Sequence, residues 1–311
     1  MRKTSVARAV RILDLLTTHP GRGFSLSELS RELGISKSTV HSILRDLSHD
    51  ALVVRNPITN EYRPGPALVA MGTVAERSLP ALPHAKREAA RLADEYEAEM
   101  VIVMATEDEL LILGHYGVPR MQSVMFREGQ RHPLMPPMGA TALAWRGDRA
   151  IEAWLDRHDP ELSEAERERY RTGLASIRRR GFFVGVLVPA LEHLHDLYSA
   201  GDVYSPAGQL EIGRALTALA HDDYLPPTDD VPPDAQLSAV SAPVFGPDGR
   251  MLFAITLIPD EGHRARDIPT LSRAVLRAAG RVMAATDGRH PITGTLRPAG
   301  GPAMAGVSRA R

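Results

Sequence analysis

The stretch from Ser25 to Arg63 restricts what this 311-residue chain can fold into more than any other. Ser25-Leu26-Ser27-Glu28 has the spacing of a capping box, in which the serine hydroxyl accepts the N–H three residues on and the glutamate reaches back to the serine N–H. Leu26, Leu29 and Leu33 then fall on one helical face, and Gly34 supplies the tight turn that ends the helix. Ser36 caps a second helix running to about Asp50, with Val40, Ile43, Leu44 and Leu47 as its buried stripe at i, i+3, i+4, i+7. The opposite face carries Lys37, Ser38, His41, Ser42 and Arg45, all able to donate to phosphates and base edges, with Asp46 as the nearby acid. Thr39 either joins that face or turns inward beside Val40.

Two short strands follow, Ala51-Leu52-Val53-Val54 and Glu61-Tyr62-Arg63, joined by the turn Asn56-Pro57-Ile58-Thr59-Asn60. Arg55 and Arg63 flank this hairpin. An amphipathic helix with Val6, Ala9, Val10, Leu13 and Leu16 precedes the pair. A helix pair with a turn glycine occurs in many proteins that never meet nucleic acid. Cap, turn, polar second face and hairpin together make a winged helix-turn-helix, whose second helix lies in a major groove with Ser36 to Ser42 over the bases. Charge agrees: residues 1–72 hold ten Lys/Arg against six Asp/Glu, while the remainder holds 27 against 32. A near-neutral total thus conceals a basic module on an acidic body.

The length allows two domains with separate cores. No run approaches the ~18–20 apolar residues of a membrane span, and Met1-Arg2-Lys3-Thr4 leads into a helix rather than a signal-peptide core, so a cytoplasmic protein with no membrane partner is expected. The absence of cysteine excludes disulfides, thiolate metal sites and a cysteine nucleophile.

Coarse periodicity divides the chain into a winged helix-turn-helix at 1–66, a linker helix within 67–82, a second domain at 83–286 with an atypical insertion at 189–237, and a Gly/Pro/Ala-rich disordered tail at 287–311. In the second domain the pattern predicts a helix over 84–97, strands at 100–105 and from Leu110, and a polar loop over 127–134. Helices at 148–157 and 163–180, a strand over 181–188, a hairpin of 239–245 with 251–258, and a last helix over 271–285 follow. This order gives an α+β class with a mostly antiparallel sheet.

His193-Leu194-His195-Asp196 and His221-Asp222-Asp223 carry metal-ligand residue types, but in a stretch of loop character where such side chains are usually solvated. No G-x-S-x-G elbow or Gly-rich phosphate loop is present. No catalytic residue, metal or cofactor is therefore expected. The alternative reading is an enzyme or metal-binding sensor whose N-terminal helices serve only assembly.

Four segments resemble the IclR family of bacterial transcriptional regulators. They are 5–13, 33–41, Gly129 to Leu134 with Met138 to Ala142, and 177–182 with Ser241 to Phe245 and Asp248-Gly249-Arg250. The resemblance implies a C-terminal GAF-like effector-binding domain, homodimers or homotetramers, and binding of double-stranded DNA modulated by a small-molecule effector, often an organic or aromatic acid. Because one recognition helix covers only a few base pairs, a dimer predicts a pseudo-palindromic operator. The exposed face of the second helix and the flanks of the hairpin, read from the residues themselves, assign DNA binding to Ser36, Lys37, Ser38, Thr39, His41, Ser42, Arg45, Arg55 and Arg63. Ser42 stands where the family usually has an arginine, and Ala51 where it has a turn glycine.

A helix mouth offers unpaired N–H groups to an anion, although Gly139-Ala140 read from residues alone is more readily a small-residue packing contact. The resemblance matches Gly139 and Ala140 to the amide donors of the effector pocket, Thr256 to a serine, and Asp234 to an acidic contributor. Met125, Leu134 and Met138 are candidate apolar walls. The helix at 67–79 is the element expected to reorient between DNA-competent and incompetent states.

Overall fold

The computed structural model describes residues 4–19, 21–118, 126–158, 161–200, 205–222, 224–226 and 231–291. The N-terminal module is built from α1 (Ser5–Thr17), α2 (Leu26–Leu33), α3 (Lys37–His49), β1 (Val53–Arg55) and β2 (Tyr62–Pro64). Both capping-box bonds form at Ser25: its N–H donates to Glu28 Oε2 at 2.8 Å, and the Glu28 N–H donates to Ser25 Oγ at 3.2 Å. Gly34 ends α2 at φ 62°, a left-handed conformation that only glycine adopts without steric cost. The chain can therefore turn sharply into α3. Ile12, Leu15, Leu16, Leu29, Leu33, Val40, Ile43, Leu44 and Leu47 meet Phe24, Val53 and Tyr62 in one small core. At roughly 1.5–3 kcal/mol for each large apolar side chain removed from water, this core sets the angle between α2 and α3. The wing is antiparallel, with Val54 opposite Arg63. It is anchored by the Phe24–Tyr62 bridge, whose two N–H···O bonds are 3.1 and 2.8 Å. Ala51 enters it at φ 53°, strained for a non-glycine residue at the place where the resemblance expects glycine.

Helix α4 (Pro66–Arg77) follows with no buried residue, leaving Val69, Met71 and Val74 exposed. Beyond it, β3 (Glu99–Ala105), β4 (Glu109–Tyr116), β5 (Arg131–Pro133), β6 (Phe183–Val186), β7 (Leu237–Phe245) and β8 (Met251–Ile258) form one antiparallel sheet in the order β5-β4-β3-β8-β7-β6. Helices α5 (Ala81–Tyr96) and α11 (Ile268–Ala285) cover one face. The other carries α6 (Ala140–Leu143), α7 (Asp148–Leu155), α8 (Glu164–Arg180), α9 (Pro189–Ala200) and α10 (Pro206–His221). Being covered on both sides, β7 is buried at every position and loses the alternation of a half-exposed strand. Among the described residues no helix is long and apolar enough to cross a membrane.

Three expectations change. The 127–134 segment is not all loop: Arg131–Pro133 pairs with β4, Arg131 opposite Leu111 and Pro133 opposite Glu109. Within 189–237, the loop expected around His193 is α9, and Leu191, Leu194, Tyr198, Ile212, Leu216 and Leu219 bury into the core with Trp154, Tyr170 and Leu174. The segment is part of the domain interior rather than a decoration on it. The 287–311 tail begins ordered: the Arg289 N–H donates to Gly246 O at 3.0 Å, and the His290 ring stacks edge-on against Trp145 and Phe245. Residues 292–311 lie outside the described residues.

Candidate nucleic-acid interface and effector cavity

The packing of α3 decides which side chains it presents. With Val40, Ile43, Leu44 and Leu47 committed to the core, Lys37, Ser38, His41, Ser42 and Arg45 are all exposed on the remaining face. Ser36 caps the helix: its Oγ accepts the Thr39 N–H at 3.3 Å and lies 2.8 Å from Thr39 Oγ1. Thr39 is thus half-buried and engaged by the cap. Arg45 meets Asp46 at 3.3 Å, but both side chains are about 70% exposed (70% and 69%). A pair so exposed is worth well under ~1 kcal/mol, and a phosphate can displace the aspartate.

On the wing, Arg55 donates to Asn60 Oδ1 at 2.7 Å and extends over the Tyr62 ring, while Arg63 lies 3.7 Å from Glu61. Ser25, Leu26, Ser27, His41, Arg55, Asn60 and Tyr62 together line a surface notch between α2, α3 and the wing. Recognition-helix and wing residues therefore share one face. Ser27 and Asn60 were absent from the sequence assignment, because their place in the notch depends on the hairpin folding back beside α2.

The second site is a cavity of about 80 Å³ between the sheet and α6. Met138, Gly139, Ala140 and Thr256 line it, with Phe126, Phe183, Tyr224, Ala239, Ser241 and Ala254. Gly139 precedes the single turn of α6 at φ 89°. The first ladder bonds run from Ala142 and Leu143 back to Gly139 O, so the Ala140 and Thr141 amides precede the ladder. Trp154 Nε1 donates to Met138 O at 3.0 Å and holds this mouth in place. Across the cavity the Ser241 and Thr256 hydroxyls are 2.8 Å apart on adjacent strands. Tyr224 reaches the cavity from the segment read as an insertion, and burial pushes its hydroxyl up to about 12, which keeps it a neutral hydrogen-bonding group. The lining is mostly apolar with a few polar groups, as a small-molecule site requires.

Asp234 does not reach this cavity. Its side chain is 92% exposed and 3.8 Å from Arg266, carried outward by the turn that the Ala235 N–H closes on Pro232 O. Leu134 sits behind Gly139 rather than on the cavity surface. Met125 lies outside the described residues. On α9, His193 is exposed while His195 is buried, and burial holds the His195 imidazole down at about 4. Among the described residues no three His, Asp or Glu groups converge as metal ligands. Asp223 lies outside them.

Residues 5–57 match the IclR helix-turn-helix domain. The transcriptional regulator XynR of Escherichia coli K12 is 26% identical over 183 residues, covering 57% of this chain and 72% of XynR. Residues 5–57 thus carry an IclR helix-turn-helix domain, and the chain is similar to IclR transcriptional regulators. An IclR transcriptional regulator from Alicyclobacillus acidocaldarius has the same fold, with a TM-score of 0.60 at 22% identity over 92% of this chain and all (100%) of that one. An IclR homolog from Microbacterium hydrocarbonoxydans, solved in complex with 4-hydroxybenzoate, has a TM-score of 0.57 at 17% identity, covering 91% of this chain and 99% of its own. The IclR fold accounts for both halves seen here, the N-terminal helix-turn-helix and the α+β domain with its antiparallel sheet.

Proposed function

We propose that this chain is an IclR-family regulator, that it binds double-stranded DNA through α3 and the wing, and that a small organic or aromatic acid in the α6 cavity modulates the binding. The observation that carries the reading is the exposed polar face of α3, which the buried stripe leaves free to enter a groove. Residues 1–66 act as the DNA-binding domain, 67–82 as the linker helix and 83–286 as the effector-binding domain. Lys37, Arg45, Arg55 and Arg63 take phosphates, while Ser38, His41 and Ser42 reach base edges, with Ser36 and Thr39 shaping the helix start. One such helix covers only a few base pairs. Exposed Val6 and Val10 on α1 and Val69, Met71 and Val74 on α4 suit a second copy of the chain, and a two-fold pair reads a pseudo-palindromic operator.

A salt-dependent gel shift tests this. Arg45→Ala is expected to weaken binding almost equally on all sequences and to flatten the salt slope by about one unit, while His41→Ala relaxes base preference. The reverse pattern would exchange the two roles. A chain that retains no duplex even at low salt would support the alternative of an enzyme or metal-binding sensor.

For the effector, the acid's carboxylate sits at the Gly139 and Ala140 amides with the Thr256 hydroxyl donating, and its body packs on Met138, Phe126 and Phe183. The 4-hydroxybenzoate seen in the Microbacterium relative is a natural member of the set of carboxylates to screen by thermal shift. A ligand present at about 100 times its Kd adds roughly 2.7 kcal/mol of stability. Thr256→Val should remove most of the shift produced by any acid found this way. An undiminished shift would place the ligand elsewhere.

A further inference from the structure

The linker helix α4, which buries nothing, is not the sole physical path between the two functional regions. Arg131, the first residue of β5, reaches across to α1: its Nε donates to Asp14 Oδ1 at 3.2 Å, while its Nη1 donates to Glu109 Oε2 on β4 at 2.9 Å. One guanidinium thus joins the DNA-binding module to the sheet. The contact is built rather than incidental, for Asp14 is only 21% exposed and its burial outweighs the arginine's pull, raising its carboxyl above the usual range. Beside it the turn at Gly129 lies against Thr17 and Thr18, close enough that a β-carbon there would stand 3.8 and 3.9 Å from them. Elsewhere on the module, Pro206 at the start of α10 packs on the turn between α2 and α3, where a β-carbon on Gly34 would meet Pro206 Cγ at 2.8 Å.

The same strand touches the cavity wall. His132 lies opposite Leu110 and hydrogen-bonds through Nδ1 to Tyr198 Oη of α9 at 2.8 Å. Leu134 follows directly, and with Leu110 it backs Gly139. A ring seated in the cavity lies against Leu110, which with Leu134 backs Gly139 and which pairs with His132 of β5.

We propose that the Asp14–Arg131–Glu109 bridge is a latch through which the effector cavity and the DNA-binding module influence one another. It rests on the reading that α3 binds DNA. Linkage requires the influence to run both ways, so DNA must act on the cavity wall as a ligand there acts on DNA binding. The latch can therefore be tested with DNA alone, without knowing the effector.

The probe is a duplex selected by the native chain from a random-sequence pool, used with Asp14→Ala, Arg131→Ala and the double variant of the full chain. The two single variants should move the Kd for this duplex in the same direction by about two- to fivefold, the range expected of a partly exposed ion pair, and the double variant no further than Arg131→Ala. In the native chain, duplex should change amide hydrogen exchange across 108–112 and 131–143, and in Asp14→Ala that change should be lost. Additive single effects overturn the latch, as does exchange at 131–143 that ignores duplex in the native chain or still responds to it in Asp14→Ala. A native chain that binds no duplex overturns the DNA-binding reading itself, and the latch with it.

Discussion

Leu194→Asp is expected to unfold the larger domain, although the residue lies in the stretch that reads in sequence as a surface insertion. Leu194 is completely buried (0%), and α9 and α10 bring Leu191, Tyr198, Ile212, Leu216 and Leu219 into the same cluster as Trp154 and Tyr170. Removing a buried leucine costs about 2–5 kcal/mol, and leaving a carboxylate there without a partner adds several more. That sum rivals the ~5–15 kcal/mol that holds a typical domain together. His193→Asp, one position away on the exposed side of the same helix, should stay within about 0.5 kcal/mol of the native chain. Chemical denaturation followed by far-UV circular dichroism measures both. If Leu194→Asp unfolds at the native midpoint, α9 is not part of the core.

The contrast between α9 and the helix-turn-helix shows what local pattern can and cannot reveal. In the N-terminal module the decisive information lies within three or four residues: Ser25 with Glu28, Gly34 at the turn, and Val40 with Ile43, Leu44 and Leu47. Helix α9 carried comparable signals, Pro189 at its first position and Leu191, Leu194 and Tyr198 at helical spacing, which its histidines and flanking prolines obscured. Strand β5 had no such signal. Arg131-His132-Pro133 is polar, three residues long, and a strand only because β4 pairs with it. The cavity divides along the same line. Gly139, Ala140 and Thr256 were legible through the family motif, whereas Phe183, Tyr224 and Ser241 meet them only because β6, β7 and β8 are neighbours in the sheet. Asp234 was misplaced because the long 189–237 segment removes any local measure of where the turn before β7 will point.

Gly139 is where the small-residue motif acquires its physical reason, and substitution there should cost stability before it affects any ligand. A side chain at φ 89° costs about 1–2 kcal/mol. Even a single β-carbon would stand 2.2 Å from Leu134 Cδ1, and Leu134, only 1% exposed, has little space to retreat. Overpacking of this kind adds roughly 1–3 kcal/mol. Gly139→Ala is thus expected to lose about 2–5 kcal/mol, and Gly139→Leu, which looks from sequence like a simple plug for the cavity, at least as much. The two contributions can be separated. Shortening the clashing partner in Gly139→Ala/Leu134→Ala removes the collision but not the backbone strain, so the double variant should be more stable than the sum of its single losses, by at least about 1 kcal/mol. Strict additivity in a denaturant titration would mean that Leu134 does not press on Gly139. The wall proposed to connect the cavity with β5 would then have to be sought elsewhere on the sheet.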